Sequence, residues 1–512
     1  MKFLLFTTTL FCSTIFFGQS QAVINFNDVR AKIYSNGTLF DGLYEVPNAF
    51  PNNGVNSIYT SNLWVGGLDS NNQLHIAAEL FGGTDKDFFY GPIASNYSIS
   101  SYTTKYNKVW GAGFQQNNYH INNYTTPGYV VPQSIAIWPG NGNVANGEAA
   151  VLAPYIDVNN NGTYDPENGD YPCIRGDTAL FFMVNDDKLP HSGSGGTKLG
   201  VEIHGMIYCY ATNDAINQTI FGHFNIYNRS ANNYNDLFLG MFADMDLGYY
   251  LDDYVGCDSL LNLYYTYNAD NDDEGGYGAK PPAQGIAFLN HSISKFIAFN
   301  SGSSYNGLPT TPAHFYQYLK GIWKDGTPLT KNGTGYGGSN TANYMFSGKP
   351  ENNSGWTAGT YAISPDDTKG VLSTGPFSFP SGGKLTLDVA LPYGRDINGN
   401  NRTSVGTLRT NTQLARTLYN FETFCSMVTN VNPEFHKIES AQLYPNPSNG
   451  KFFIANNNNI SSIEVYNLVG SKVLTINNLL SNEINLSNTP AGIYFVKLYS
   501  KGKIYTNKII IE

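Results

Sequence analysis

The sequence predicts an all-β protein: a large β-sandwich-type body with long loops and one helix near its C-terminal end, followed by a second, much smaller β-sandwich. Three observations predict it. Charged residues make up 13% of the 512-residue chain, while 37 Tyr and 53 Gly give it the composition of strands and turns. Apolar and polar residues alternate with a period of two in short runs bounded by Gly, Pro and Asn. The 3.6-residue period of a helix is sustained at one place, near residue 402.

The chain opens with Met1-Lys2 and an apolar run over residues 3–17, and Ser20-Gln21-Ala22 supplies the small-x-small pattern of a signal-peptidase site. A signal peptide over 1–22, cut between Ala22 and Val23, is expected. The run is short for a membrane span, and no later segment approaches 18 continuous apolar residues, so the mature chain is expected to have no transmembrane span.

Residues 23–435 form the expected body. Strands are predicted at 63–66, 135–138, 180–184, 201–210, 222–227, 286–289 and 385–391, and the Gly, Asn, Ser and Thr-rich section 326–360 reads as a long surface excursion. The helix has Arg402, Arg409 and Arg416 at seven-residue spacing opposite Val405, Leu408, Ala415, Leu418 and Tyr419. Thr403 or Ser404 is available as N-cap, and the arginines read as its wet face.

The formal charge is −10; residues 441–512 hold six Lys and three Glu and Lys2 belongs to the signal, so residues 23–440 carry −14. That balance speaks against nucleic acid as a partner and for a divalent cation. The sharpest such signal is Asp157-Val-Asn159-Asn-Asn161-Gly162-Thr163-Tyr-Asp165-Pro-Glu167-Asn168-Gly-Asp170. Ca²⁺ takes six to eight oxygens from alternate residues of a tight loop with Gly at the sixth place. Asp157, Asn159 and Asn161 supply side-chain oxygens, Thr163 its carbonyl and Asp165 a direct or water-bridged contact. Asn168 stands at the twelfth place, so Glu167 or Asp170 must serve there. The loop resembles EF-hand-like and thrombospondin-type calcium repeats; the competing reading is an Asx-turn loop capping its own backbone. A second run places Asp244 and Asp246 on one strand face, with Asp252 and Asp253 returning if the chain turns near Gly248. A third, residues 268–275, reads first as a solvated tip and second as a further ligand loop. Structural Ca²⁺ is the expected cofactor.

Catalytic signals are weaker. The acids lie in Asp/Asn/Gly loops, where desolvation is expected to be too slight to raise a general acid's pKa. Glu202 and His204 face one side of a strand and His223 falls on the next, which reads first as hydrogen-bonded structural histidine and second as a metal or acid-base cluster. Trp64, Trp110, Trp138, Trp323 and Trp356 suit either a core or stacking on a surface glycan. Cys12 lies in the signal; Cys173, Cys209, Cys257 and Cys425 could form two disulfides.

From Leu443 the chain reads LYPNPSNGKFFI, SSIEVYNLVGSKVL and INLSNTPAGIYFVKLYSKGKIYTNKIIIE. Ile463 and Val465 alternate with Glu464 and Tyr466, and Tyr494, Val496 and Leu498 with Phe495 and Lys497, as sandwich strands do. With Pro445-Asn446-Pro447, Gly450, Gly470, Gly492 and Lys508 in order, residues 441–512 resemble the C-terminal sorting domain of type IX secretion cargo, an immunoglobulin-like β-sandwich. The resemblance implies docking to the type IX machinery and delivery to the medium or the outer cell surface. VRAKIYSNGTLF, LWVGGLD, the loop from Asp157 to Asp177, DMDLGYYLDDYVGCD and YNADNDDEGGYGAKPPAQG resemble a broad group of large secreted proteins with the same tail, which implies no catalytic residue. The expected role is binding or adhesion to a surface glycan or extracellular ligand; the alternative is a secreted hydrolase acting on polysaccharide or protein.

Overall fold

The computed structural model describes residues 20–47, 54–81, 83, 86–421, 443–454, 460–467, 472–477, 482–500 and 503–511. Most of the signal segment, Cys12, Cys425 and Gly470 lie outside them. The chain divides into two compact units, Met1–Arg409 and Thr410–Glu512.

The first unit is a sandwich of two antiparallel sheets. The first sheet runs Gln21–Ile24, Arg30–Tyr34, Leu39–Glu45, Thr60–Leu68, Tyr234–Asp244, Thr368–Phe379, Lys295–Asn300, with Leu74–Ala77 paired to Thr60–Leu68. The second runs Asp253–Asp258, Leu263–Asn268, Ala283–Phe288, Lys384–Leu391, Ile220–Asn228, Val201–Cys209, Thr178–Asn185, Phe89–Tyr90. One apolar core draws on both, with Trp64, Val65, Leu239 and Met241 from the first and Leu180, Phe182, Ile203 and Ile226 from the second. Period-two alternation directs this: Ile203 and Ile207 face that core, while Glu202 and His204 face the other way.

The strand Tyr234–Asp244 is buried along most of its length on both faces. Its outer cover is the helix Pro312–Leu319, capped by Thr311, whose side chain accepts from His314 N, with Pro at the first turn. Phe315 of that helix meets Trp64 edge to face at 4.9 Å, and Trp64 stacks on Phe242 at 5.3 Å. Each such pair contributes about 0.5–1.5 kcal/mol beyond its buried area.

Six of the seven expected strands lie in observed strands; residues 135–138 do not. Ile135 belongs to the short helix Gln133–Ala136, its apolar side chain buried without any sheet partner. The section 326–360 is not merely a surface excursion, because Leu329, Met345, Phe346 and Trp356 are buried in the main core. All five tryptophans are buried, so they serve packing and form no exposed platform. Ala22 and Val23, the expected cleavage pair, lie within Gln21–Ile24, where Ala22 pairs with Ile33.

The helix Asn401–Phe421 begins one turn earlier than expected, with Asn400 as its cap. Asn400 Oδ1 accepts from Arg402 N at 3.0 Å and Thr403 N at 3.1 Å, and Thr403 Oγ1 accepts from Asn400 N at 2.8 Å, a reciprocal capping box. Val405 and Leu408 pack against Leu263, Tyr265 and Tyr267 of the second sheet. Arg409 is not on a wet face: it pairs with Glu351 at 2.8 Å and Asp258 at 3.3 Å. Cys173 is disulfide-bonded, whereas Cys209 and Cys257 are buried free thiols, so the four cysteines do not form the two bridges they could have formed. Both thiols sit in strands of the second sheet and contribute to the apolar core.

The second unit contains a small sandwich. A three-stranded sheet of Leu443–Tyr444, Lys451–Ile454 and Glu483–Asn485 and a four-stranded sheet of Lys472–Asn477, Ile460–Asn467, Gly492–Ser500 and Lys503–Ile511 share a core of Phe452, Ile463, Val465, Val496, Leu498 and Ile509. Asn446 ties the opening motif to the final strand, donating from Nδ2 to Lys508 O at 2.8 Å and accepting at Oδ1 from Ile510 N at 2.9 Å. Gly450 has φ +91°, and a Cβ there would come within 2.6 Å of Ser487 Cα. Gly492 opens the strand Gly492–Ser500, opposite Ile511.

Candidate metal centre

Asp244 closes the strand Tyr234–Asp244, where the ladder sets it opposite Lys369. Asp246 follows two residues later, and Asp367 lies just before the strand Thr368–Phe379. One carboxylate oxygen from each of Asp244, Asp246 and Asp367 lies within 4.8 Å of the others, the one such grouping of His, Cys, Asp or Glu among the described residues. Lys369 Nζ stands 3.3 Å from Asp244 Oδ1 and also pairs with Asp367. Apart from that ion pair, Asp244 Oδ1 accepts no hydrogen bond among the described residues, although Asp244 is only 4% exposed.

Three carboxylates and one ammonium leave two negative charges in a half-dry site. Burial, with the charge of Asp246 beside it, pushes Asp244 up to about 7 against the pull of Lys369. Burial and the charge of Asp367 push Asp246 up to about 6. Desolvation here is therefore substantial, contrary to the sequence expectation, because the pairing of Tyr234–Asp244 with Thr368–Phe379 buries Asp244 and brings the flanking loop residues Asp246 and Asp367 against it. A hard divalent cation would supply the missing charge and take oxygen ligands from all three residues.

Asp252 and Asp253 do not join this group. Gly248, at φ +76° with Asp273 Oδ2 only 1.9 Å from where a Cβ would stand, turns the chain out of the first sheet. Asp253 then starts a strand of the second sheet. Asp253 Oδ2 accepts from Leu247 N at 3.0 Å, Asp252 Oδ2 accepts from Asn268 Nδ2 at 2.7 Å, and the Oδ1 of each has no hydrogen-bond partner among the described residues. Asp367 was missed in the sequence because it stands 121 positions beyond Asp246 and only the ladder joins them. In the third run Asp270, Asp272 and Glu274 are exposed, but Asp273 is fully buried and accepts from Tyr249 N at 2.8 Å and from Tyr277 N.

The Asp157 loop is ordered by its own side chains. Asp157 accepts from Asn161 N at 3.2 Å and Gly162 N at 2.7 Å, and Thr163 N donates to Asn161 Oδ1 at 2.8 Å. The amides of Asn159, Asn161 and Asn168 donate to Asp165 at 3.1, 2.7 and 2.9 Å. Asp170, fully buried, accepts from Val158 N at 2.8 Å and Asp165 N at 2.9 Å. Glu167 lies in the turn Pro166–Asn168.

The histidines belong to two separate pairs. His204 Nε2 meets Glu202 Oε1 at 3.0 Å, and Glu202 also holds Arg229 at 2.8 Å and Ile93 N at 2.7 Å. His223 Nδ1 meets Asp388 at 2.6 Å on the neighbouring strand.

Residues 442–512 match the family described as the secretion system C-terminal sorting domain. The chain therefore carries a type IX sorting domain and is exported to the medium or the outer cell surface. No helix among the described residues is long and apolar enough to cross a membrane. No curated protein matches the chain. Among solved structures it is similar to a polysaccharide lyase, with 9% identity and TM-score 0.20, covering 60% of this chain and 34% of that one. It is also similar to HBP35 of Porphyromonas gingivalis, with 13% identity and TM-score 0.14, covering 50% of this chain and 62% of that one. The chain thus spans about a third of the first structure's length.

Proposed function

We propose that this exported protein is a binding or adhesion protein whose body is stabilised by calcium. The observation that carries the calcium reading is the convergence of Asp244, Asp246 and Asp367 with, among the described residues, a single counter-charge, Lys369. The Asp157 loop is the second candidate: rotating the amides of Asn159 and Asn161 would turn oxygens toward a cation held by Asp157 and Asp165, at the cost of their bonds to Asp165 and of those their oxygens accept from Asn161 N and Thr163 N. The low charge content, the all-β body and the export address support a role outside the cell in contact with a ligand. The alternative, a secreted hydrolase, needs a carboxylate that reaches its substrate; in the acidic cluster Asp244 is 4% exposed and only Asp246 and Asp367 are open to one.

With dissociation constants of about 0.1–1 mM, as in extracellular modules, and millimolar Ca²⁺, one site adds roughly 0.4–1.4 kcal/mol. The test is a thermal melt of the purified protein in EDTA and after Ca²⁺ is restored, alongside Asp367→Asn. Calcium should raise the melting temperature of the natural chain and raise that of the variant less. An unchanged melt across the titration would overturn the calcium reading.

A further inference from the structure

Beside the first turn of the helix Asn401–Phe421 the body holds a cavity of about 550 Å³, within the size range of small-ligand pockets. Part of its wall is aromatic: the Tyr254 and Tyr267 rings meet edge to face with centroids 5.8 Å apart. The remainder is mostly polar, with Asp270, Asn271, Asn353 and Arg402 at the lining.

Two lining groups are more than nine-tenths buried and still present a polar atom without a partner among the described residues. Tyr267 is 2% exposed and its hydroxyl makes no hydrogen bond. Asn401 is 5% exposed; its Nδ2 donates to Asn268 O at 2.8 Å and its Oδ1 accepts nothing. Arg402 has no ion-pair partner and the Asn353 amide makes no side-chain hydrogen bond among the described residues. Asp270, Asn353 and Arg402 are exposed, so these polar groups meet solvent until a ligand enters the cavity.

The chemistry of the ligand follows from what is already taken. Asn400 Oδ1 accepts from the N–H groups of Arg402 and Thr403, and Asn271 Oδ1 accepts from Asn401 N at 3.1 Å. The helix start therefore has no free cradle of backbone N–H groups for a phosphate or sulfate. An apolar ligand would leave the amides, hydroxyl and guanidinium unpaired. A polyhydroxylated ring satisfies both: its hydroxyls donate and accept, and its C–H edges pack on tyrosine.

We infer that this cavity binds a sugar unit of an oligosaccharide or polysaccharide. The rings of Tyr254 and Tyr267 form the apolar wall, and the Tyr267 hydroxyl, Asp270, Asn353, Asn401 and Arg402 hydrogen-bond the ring hydroxyls. The inference rests on the binding reading above and adds to it a ligand class and an address.

The test is an array of immobilised oligosaccharides and extracellular-matrix proteins, probed with the full exported chain and with Tyr267→Phe and Arg402→Ala. Retention on a defined set of glycans is expected, weakened roughly tenfold or more by each substitution with the melting temperature unchanged. Glycan retention that neither substitution weakens overturns this address. Retention on matrix proteins alone overturns the sugar assignment and leaves the binding reading standing; retention on neither overturns both.

Discussion

Asp244 and Lys369 face each other across the ladder between Tyr234–Asp244 and Thr368–Phe379, with Asp244 Oδ1 3.3 Å from Lys369 Nζ and both residues almost fully buried. Among the described residues the pairing makes one lysine the only near counter-charge for three carboxylates. Replacing it with methionine of similar length leaves those carboxylates to repel one another. Lys369→Met should cost about 3–5 kcal/mol in EDTA, and Ca²⁺ should recover part of that loss. Chemical denaturation with and without Ca²⁺ measures it; an equal loss in both conditions would count against a cation at this place.

Asp170 is the internal anchor of the Asp157 loop, accepting two backbone N–H groups while fully buried. Asp170→Asn turns one acceptor into a donor facing an N–H, and should destabilise the protein by about 1–3 kcal/mol at any calcium concentration. Glu167→Gln, by contrast, should stay within about 0.5 kcal/mol of the natural chain if the loop needs no twelfth-place ligand. A calcium-dependent penalty for the second variant would make Glu167 a ligand instead.

Glu202 provides a pH signature. Burial alone would raise its pKa, but the hydrogen bond and charge of His204, with the Arg229 guanidinium, hold it at about 2 against an ordinary 4.5. A depressed carboxylate contributes stability that is fully present above the unfolded value and is lost as pH falls toward the folded one. The difference in unfolding free energy between the natural chain and Glu202→Gln should therefore shrink by about 3 kcal/mol as pH falls from 5 to 2. Urea titrations of both proteins at a series of pH values read it. A difference independent of pH would show that the pair is not ionised as described.

Asn446→Ala removes two hydrogen bonds to the final strand, at Lys508 and Ile510. It should lower the stability of the sorting domain by about 1–2 kcal/mol and shift cargo from the medium and cell surface to the periplasm. Fractionation followed by immunoblot shows the distribution. Deleting residues 443–512 should abolish delivery altogether; a deleted chain still found in the medium would separate export from this domain.

The sequence revealed structure where the physics is local. Alternation identified strands such as Val201–Cys209 and Lys384–Leu391, and the apolar stripe of Val405 and Leu408 identified the helix they occupy. It failed for Tyr234–Asp244, because a strand covered on both faces by the sandwich core and by Pro312–Leu319 has no polar side to alternate with. The candidate site was half legible for a similar reason. Asp244 and Asp246 are neighbours in the chain, whereas Asp367 and Lys369 arrive through strand pairing, and Asp252 and Asp253 are carried off by the turn at Gly248 into the other sheet. The cap of the long helix was misplaced by three or four residues because Thr403 and Asn400 cap each other, and only the first residue of that reciprocal pair starts the helix.

The bonds from Asn446 to Lys508 and Ile510, joined by the contact of Ser448 N with Ile510 O, clasp the entrance of the sorting domain to its last strand. That clasp cannot close until Lys508 and Ile510 lie beside Asn446. The two edges of the domain therefore fold as one, and losing either edge opens the seam at both.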